Sequence, residues 1–475
     1  MTEMRLVVYT TVPWEHALAM LRYRAPADAL GWDVFPGKDG ANDVHPERVA
    51  DADVVLIQRD FPRFFESYLD VMEQARRLGR LLVYDLDDLL LALPVEHPNR
   101  QDYFDSLGGM LHAMLEADVL VLSTPLLADI FRPLNPRGRV WPTALPEAYW
   151  QVRLPQERAA DAPLVIGYMG GSTHLPDVEM IVPLLARLLD DYPQMELHFW
   201  GAAPPDSLRI CSRVRHCLPE KNSYAGFVSS FEQAIADVWI APLRPTLFNR
   251  CKSSIKFWEY SAIGGVGVYS RLEPYQGVVR DGENGLLAAS LDEWDTALRR
   301  LVNDSALRLR LACNAQATLQ DSGWLRQHLD AWEAILRAPQ PVTTAMNVTQ
   351  QTLARLSEQV QHRSDGHHLE TLELLAAVSG RDAQIANRDV QLANRNAQIA
   401  DHDVQLADRN AQIQILTHRS NQLDEVFQSR SWRALQRLQK LRRFDFSPLP
   451  SFESFMLPYA THQPSSSSED PPVST

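Results

Sequence analysis

Short apolar runs rich in β-branched residues alternate with amphipathic helical patterns, and this alternation occurs twice along the chain. The first series spans about residues 6–131 and the second about 164–337, with a proline-containing break at 146–163. Such alternation is typical of βαβ units around a parallel sheet. The pattern therefore predicts an α/β fold with two Rossmann-like lobes.

The individual elements follow from the periodicity of the apolar residues. In the first series we predict strands at 6–10, 54–58, 81–84 and 119–123 and helices at 16–30, 64–78, 103–116 and 125–131. In the second series we predict strands at 164–169, 196–200, 238–241 and 266–269 and helices at 176–191, 253–263 and 291–337. The predicted domains are an N-terminal Rossmann-like lobe at 1–145, a linker at 146–163, a C-terminal Rossmann-like lobe at 164–338, a helical extension at 347–443 and a disordered tail at 444–475.

Composition excludes several classes of protein. The net charge of −14 over 475 residues argues against a protein that wraps nucleic acid, which needs a broad basic face. The four cysteines lack zinc-site spacing and are too few to cross-link a chain of this size, so a reducing compartment fits best. No signal-like apolar segment or membrane-spanning stretch is evident, and we expect a cytoplasmic protein.

The extension contains a seven-residue repeat over 381–414, written RDAQIAN, RDVQLAN, RNAQIAD, HDVQLAD and RNAQIQI. A seven-residue apolar period predicts an elongated coiled-coil-like helix. We expect this helix to form a homo-oligomer and leave the number of strands open.

A basic amphipathic segment at 429–444 stands out in this acidic chain because it contains six lysines and arginines. Apolar residues bordered by cations are typical of a helix lying on an anionic membrane surface. The alternative is the end of the coiled helix packing on a partner. The sequence supports both interpretations equally, and the first implies peripheral contact with the inner face of the membrane.

A glycine pair follows the predicted strand at 164–169. Gly170 and Gly171 would let the backbone approach a phosphate, while Ser172 could donate a hydrogen bond to it. A simple turn is the alternative for a glycine pair taken alone.

The predicted helix at 253–263 carries Lys256 and Glu259 three residues apart, on one face near its start. A nucleotide sugar requires both groups, a cation for the diphosphate and an acceptor for two ribose hydroxyls. An exposed ion pair is the alternative.

Residues 254–264 read S-x-K-x-x-E-Y-x-A-x-G, and D-G-x-N-G-L-L follows at 281–287. Both elements, with the glycine pair upstream, resemble the donor half of GT-B glycosyltransferases, in particular the glycosyltransferase 4-like (family 1) group of bacterial surface-polysaccharide synthesis. The resemblance covers about 165–335. It implies a hexosyltransferase-type enzyme that uses a nucleotide-sugar donor and a glycan or lipid-linked acceptor.

The same resemblance assigns the donor site. It implies that Glu259 holds the ribose, that Lys256 or Lys252 binds the diphosphate, and that residues 170–172 form the phosphate loop. Many relatives carry a second glutamate eight residues earlier, where this chain has Cys251. Asn249 or Arg250 would contact the sugar instead, which leaves retention or inversion of the anomeric configuration open.

The predicted strand at 81–84 is followed by three acids, Asp85, Asp87 and Asp88, at the end where open α/β sheets bind ligands. We predict a general base for the acceptor hydroxyl here, with Asp87 preferred to Asp85. The alternatives are helix-capping acids and the Asp-x-Asp manganese motif of the GT-A fold. Because the second lobe supplies its own phosphate site, we expect no metal and no other cofactor.

Three functions remain possible from the sequence. We favour a glycosyltransferase. The alternatives are another nucleotide-sugar enzyme, such as an epimerase, and an inactive scaffold that assembles through its helix.

Overall fold

The computed structural model describes residues 4–337 except 160, 221 and 222, together with a few positions between 354 and 414. The tail at 444–475, the basic segment at 429–444 and nearly all of the extension at 347–443 lie outside the described residues, so those expectations stay predictions. Within the described part, no helix has the length and apolar composition needed to cross a membrane.

The first lobe, residues 4–145, is built on a six-stranded sheet and a small hairpin. Its strands are β1 (Arg5–Tyr9), β2 (Asp33–Pro36), β3 (Lys38–Asp39), β4 (Asp43–Val44), β5 (Val54–Gln58), β6 (Leu81–Leu86), β7 (Val119–Leu122) and β8 (Gly138–Val140). Its helices are α1 (Ala17–Ala19), α2 (Ala25–Leu30), α3 (Phe65–Arg77), α4 (Arg100–Asp105), α5 (Leu107–Glu116) and α6 (Pro125–Phe131). A π-helical turn, Met20–Arg24, joins α1 to α2.

The strands of the first sheet run in the order β2-β1-β5-β6-β7-β8, and all pairs are parallel. Strands β5 and β6 are buried along their whole length, which explains their continuous apolar sequences. Since the order reverses between β1 and β5, the carboxyl ends of these strands flank the crevice where open α/β sheets bind ligands.

The second lobe, residues 164–328, is a second α/β unit. Its strands are β9 (Leu164–Gly170), β10 (Met195–Gly201), β11 (Val214–Cys217), β12 (Val238–Ala241), β13 (Gly267–Ser270) and β14 (Leu286–Ala288). Its helices are α7 (Leu175–Glu179), α8 (Val182–Asp191), α9 (Asp206–Arg209), α10 (Tyr224–Phe231), α11 (Leu247–Arg250), α12 (Ile255–Ala262), α13 (Glu273–Gln276), α14 (Leu291–Asn303) and α15 (Ser305–Ser322). A final helix, α16 (Leu329–Leu336), follows.

The second sheet has the order β11-β10-β9-β12-β13-β14, again with parallel pairs throughout. This is the strand order of dinucleotide-binding Rossmann sheets, and its reversal lies between β9 and β12. The prediction of two Rossmann-like lobes is confirmed. The loops after β9 and β12, at the reversal point, are therefore the expected ligand loops.

The two lobes are joined at adjacent points of the chain. Leu145, at the end of the first lobe, receives a hydrogen bond from Leu325 N (2.8 Å) and donates one to Gly323 O (3.0 Å). Helix α16 then returns to the first lobe, where the ring of Trp332 lies 5.5 Å from that of Trp32. Both lobes belong to one compact unit.

The helical stretch predicted at 291–337 is divided into three helices. Asp304 ends α14 and caps α15, because its side chain accepts a hydrogen bond from Leu307 N at 2.8 Å. Gly323 ends α15, and the chain turns there toward the first lobe.

Candidate functional site

The glycine pair forms a tight loop at the carboxyl end of β9. A Cβ atom on Gly170 would lie 2.4 Å from the Tyr168 hydroxyl and 3.3 Å from Lys256 Nζ, so only glycine fits there. The loop is also held by β10, since Ala202 N donates to Gly170 O at 2.7 Å. Gly171 and Ser172 follow on the exposed side of the loop. The predicted phosphate loop is thus brought against the predicted lysine.

Helix α12 is positioned by its aromatic residues. The ring of Tyr260 stacks on Trp239 of β12 at 4.7 Å, and Phe257 contacts Tyr269 of β13 at 5.7 Å. These contacts fix the helix against the sheet and direct Lys256 toward the glycine loop. Lys256 Nζ lies 5.5 Å from the centre of the Tyr168 ring, a cation–π distance.

Glu259 is an unusual carboxyl group because it is 5% exposed and its Oε2 atom is buried without a hydrogen-bond partner within the described part of the chain. Burial raises the pKa of Glu259 to about 8, although the charge of Lys256 acts in the opposite direction. Burial likewise lowers the pKa of Lys256 to about 8, helped by the charge of Lys252. Unpaired buried polar groups are costly and mark functional sites.

Asp177, on α7, connects the loops at the reversal point of the second sheet. Its carboxylate accepts hydrogen bonds from Asn249 Nδ2 (2.6 Å), Arg244 N (3.0 Å) and His174 Nδ1 (3.1 Å). Asn249 Nδ2 also donates to Arg244 O at 3.1 Å. The amide of Asn249 is therefore committed to holding these loops, while its contact with a sugar stays a prediction.

Cys251 stands where many relatives carry the second glutamate, and here it is a packing residue. Cys251 is fully buried in the cluster that contains the core of the first lobe, and its carbonyl oxygen accepts a hydrogen bond from Thr124 Oγ1 at 3.1 Å. Burial raises the pKa of its thiol to about 12. This side chain supports the contact between the lobes.

The 281–287 turn has a structural role. Asn284 is fully buried and its amide donates to Val278 O and Thr318 Oγ1, both at 3.0 Å. Asp281 Oδ1 accepts a hydrogen bond from Leu287 N at 3.0 Å. The turn fixes β14 against α15.

Asp85 is part of a buried network at the carboxyl ends of the first-lobe strands. Arg22 NH2 lies 2.5 Å from Asp85 Oδ1, and the two side chains are 0% and 3% exposed. Gln58 Nε2 donates to Asp85 Oδ2 at 3.2 Å, and Arg22 NH1 donates to Trp141 O at 2.6 Å. A carboxylate so enclosed is shielded from an acceptor, so of the two predicted bases this geometry favours Asp87 over Asp85.

Asp87 lies closer to the cleft, 13% exposed, with Oδ1 3.4 Å from Arg59 Nε. Arg59 is the one non-glycine residue with a left-handed backbone among the described residues, with φ of 52°, a strain typical of functional sites. The neighbouring Asp88 reaches across to the second lobe, where Lys252 Nζ lies 3.7 Å from its Oδ2. The acid loop of the first lobe therefore faces a predicted diphosphate-binding lysine of the second.

A cavity of about 210 Å³ lies between the lobes beside Ser172. The first lobe contributes the loop that contains Glu96 and His97, and the second contributes Asp177, Arg244 and Asn249 together with the glycine-loop segment. The sequence analysis did not assign Glu96, Arg244 or Asp177. The position of Arg244 in the loop that follows strand β12 was a usable signal, because ligand loops follow the central strands.

Two groups of residues could be considered for a metal. Asp39, Asp43 and His45 lie within 4.8 Å of one another, but Arg48 already binds both carboxylate oxygens of Asp39, at 2.6 and 3.0 Å. In the Asp85-x-Asp87 motif, the carboxylate of Asp85 already forms an ion pair with Arg22. Neither arrangement resembles an open cation site.

Solved glycosyltransferases share this architecture. HepE from Anabaena, in complex with UDP and glucose, matches with a TM-score of 0.52 at 13% identity, covering 71% of this chain and 100% of that chain. Sucrose-phosphate synthase from Thermosynechococcus elongatus matches with 0.50 at 13% identity, over 71% and 98%. A glycosyltransferase from Rickettsia africae ESF-5 matches with 0.50 at 9% identity, over 71% and 100%. The chain has the GT-B fold.

At these identities the likeness establishes the fold alone. No protein-family model matches the sequence, and no curated protein does either.

The first prediction concerns Asp85. Asp85→Asn leaves the Arg22 guanidinium buried without a counter-charge, so we expect the free energy of unfolding to fall by about 3–5 kcal/mol. Urea denaturation measures the loss. As a control, the double variant Arg22→Met/Asp85→Leu should lose much less stability. A stable but inactive Asp85→Asn protein would instead restore Asp85 as the base.

The second prediction concerns the pH dependence of stability. The pKa of Glu259 is raised to about 8 in the folded protein, whereas that of an unfolded glutamate is about 4.3. The folded state therefore holds the proton more tightly, and its stability falls as the pH rises from about 5 to 8. Glu259→Gln should then raise the melting temperature of the free protein at pH 8 more than at pH 5. An equal shift at both pH values would contradict the burial of an unpaired carboxylate.

Proposed function

We propose that this protein is a glycosyltransferase that moves a sugar from a nucleotide-sugar donor to a hydroxyl group of a glycan or lipid-linked acceptor. The observation that carries the proposal is the buried, unpartnered Glu259 carboxyl on the same helix as Lys256, at the reversal point of the second sheet. A ribose diol would satisfy the carboxyl group, and a diphosphate would satisfy the lysine.

Charge neutralisation is the main chemical task of the second lobe in this proposal. As the glycosidic bond to the diphosphate breaks, negative charge develops on the departing β-phosphate. Lys256, Lys252 and the backbone N–H groups of the glycine loop stabilise that charge without reorganisation, because the fold already holds them in place. The binding of UDP-sugars by a structural neighbour, HepE, makes UDP the first nucleotide to test.

The first lobe supplies the base. Asp87 takes the proton of the attacking acceptor hydroxyl, and the Arg59 guanidinium, 3.4 Å away, orients the carboxylate. The adjacent Asp88–Lys252 contact brings this loop to the donor lobe. Asp87, rather than the enclosed Asp85, is thus the proposed catalytic residue.

The proposal extends to cellular context. The sequence resemblance favours a hexosyltransferase of surface-polysaccharide synthesis that works in the cytoplasm at the inner face of the membrane. Residues 347–443 would hold copies of the chain together, and residues 429–444 would contact either anionic lipid or the coiled-helix partner.

The third prediction tests the donor site. Lys256→Ala and Glu259→Ala should each weaken binding of the nucleotide sugar by about 1.5–3 kcal/mol, roughly 10- to 150-fold in Kd, because the first loses a hydrogen bond to the charged diphosphate and the second leaves the ribose diol without its buried partner. Isothermal titration with UDP-, GDP-, dTDP- and CMP-sugars identifies the donor and then measures the loss. Arg310→Ala, an exposed cation on α15, is the matched control. Unchanged affinity in both site variants would refute the donor site.

The fourth prediction is that release of the nucleoside diphosphate from the donor continues in excess EDTA. Lysines and backbone N–H groups would perform the neutralisation that a divalent ion performs elsewhere. The measurement is nucleotide release with and without chelator. Loss of turnover that manganese restores would favour the Asp-x-Asp alternative.

A further inference from the structure

The cavity between the lobes has a distinctive distribution of charge. It lies next to Ser172 of the glycine loop, so in the proposed function it receives the sugar that follows the diphosphate. Of the described residues that line it, Arg244 alone carries a permanent positive charge. The two diphosphate lysines, Lys252 and Lys256, are not among the lining residues.

The positive charge of Arg244 lies between two carboxylates, one from each lobe. Its NH2 group forms an ion pair with Glu96 Oε1 of the first lobe, and its Nε lies 3.7 Å from Asp177 Oδ1 of the second. Asp177 is 4% exposed, so its negative charge is poorly screened by water. The guanidinium is therefore paired with a carboxylate of each lobe, while its Nε has no hydrogen-bond partner among the described residues and can still donate to a neutral hydroxyl.

The ionisation states of the lining groups leave an excess of negative charge. Hydrogen bonds from its own backbone and from Arg244 hold the pKa of Glu96 below its usual range. Burial acts to raise the pKa of Asp177, but hydrogen bonds from His174 and from Arg244 N bring it below the ordinary value. Burial, with the charges of Lys252 and Arg59, lowers the pKa of His97, which is thus neutral at neutral pH. Among the residues that line the cavity, two carboxylates thus face one cation.

We infer that the sugar moiety of the donor is uncharged, a neutral hexose or N-acetylhexosamine and not a uronic acid. This inference rests on the proposed function and deepens it. A carboxylate on the sugar would have to displace Glu96 from Arg244 and would still face the buried Asp177. Repulsion between like charges in a partly desolvated cavity rejects such a ligand. Neutral hydroxyl groups, in contrast, can donate to both carboxylates and accept from the guanidinium.

The test compares two donors that differ only at carbon 6 of the sugar. Isothermal titration of the full chain measures Kd for UDP, UDP-glucose and UDP-glucuronate. If the nucleotide panel selects GDP, the matched pair is GDP-mannose and GDP-mannuronate. We expect the neutral sugar to bind at least ten-fold more tightly than the uronate. Equal binding, or tighter binding of the uronate, would overturn the inference.

A substitution that removes the charge of Glu96 tests whether this cavity causes the difference in affinity between the two donors. Glu96→Gln frees the guanidinium of Arg244, so the neutral-to-uronate affinity ratio should narrow at least three-fold or invert. Glu96 has a 45% exposed side chain, so this change should not disturb folding. Glu179→Gln removes an exposed carboxylate from the same helix as Asp177 but outside the cavity, and its ratio should equal that of the wild type. An unchanged ratio in Glu96→Gln would overturn the assignment to this cavity.

The two proposals fail in different ways. If no nucleotide in the panel binds, the proposed function falls and the inference falls with it. If the nucleotide binds but the paired donors are not distinguished, the proposed function stands and only the uncharged-sugar inference is lost.

Discussion

The carboxylate of Asp177 determines where the ligand loops of the second lobe lie. It is bound from three sides, by the side chains of Asn249 and His174 and by the backbone of Arg244. These groups come from the segment after β9 and from the loop and helix after β12, the two strands that flank the reversal of the sheet. Without this buried anion, neither the glycine-loop segment nor the Arg244 side chain would have a fixed position relative to the other. The cleft thus depends on a residue that need never touch the reacting atoms.

Near Asp177, the fold buries ionisable side chains in surroundings that disfavour their charged forms. Burial moves the pKa of both Lys256 and Glu259 to about 8, from opposite directions. Such unpaired groups destabilise the empty site, and the charges and dipoles of a ligand would remove this free-energy cost. By comparison, the Arg22–Asp85 pair of the first lobe is as deeply buried but fully satisfied. This contrast supports the proposal that Lys256 and Glu259 belong to a binding site, whereas the Arg22–Asp85 pair is a structural support.

The sequence allowed prediction of those features that depend on residues close together in the chain. The bounds predicted for the strands at 54–58 and 238–241 agree with the structure, because both strands are buried throughout and consist of apolar residues. Edge strands such as β2 and β11 were missed, since each is partly exposed and lacks a continuous apolar run. The Lys256 and Glu259 pair was visible from helical spacing. The Asn249–Asp177 and Arg244–Glu96 contacts were not, because they join residues 72 and 148 positions apart.

The chain crosses between the lobes at two adjacent points, which limits how the lobes can move relative to each other. Leu145 leaves the first lobe hydrogen-bonded to the segment that returns to it, through Gly323 and Leu325. Two covalent crossings at one place allow the lobes to rotate about that point and resist sliding of one lobe past the other. The Arg244–Glu96 and Lys252–Asp88 contacts join the two lobes across the cleft, so any rotation that separates the lobes has to break both.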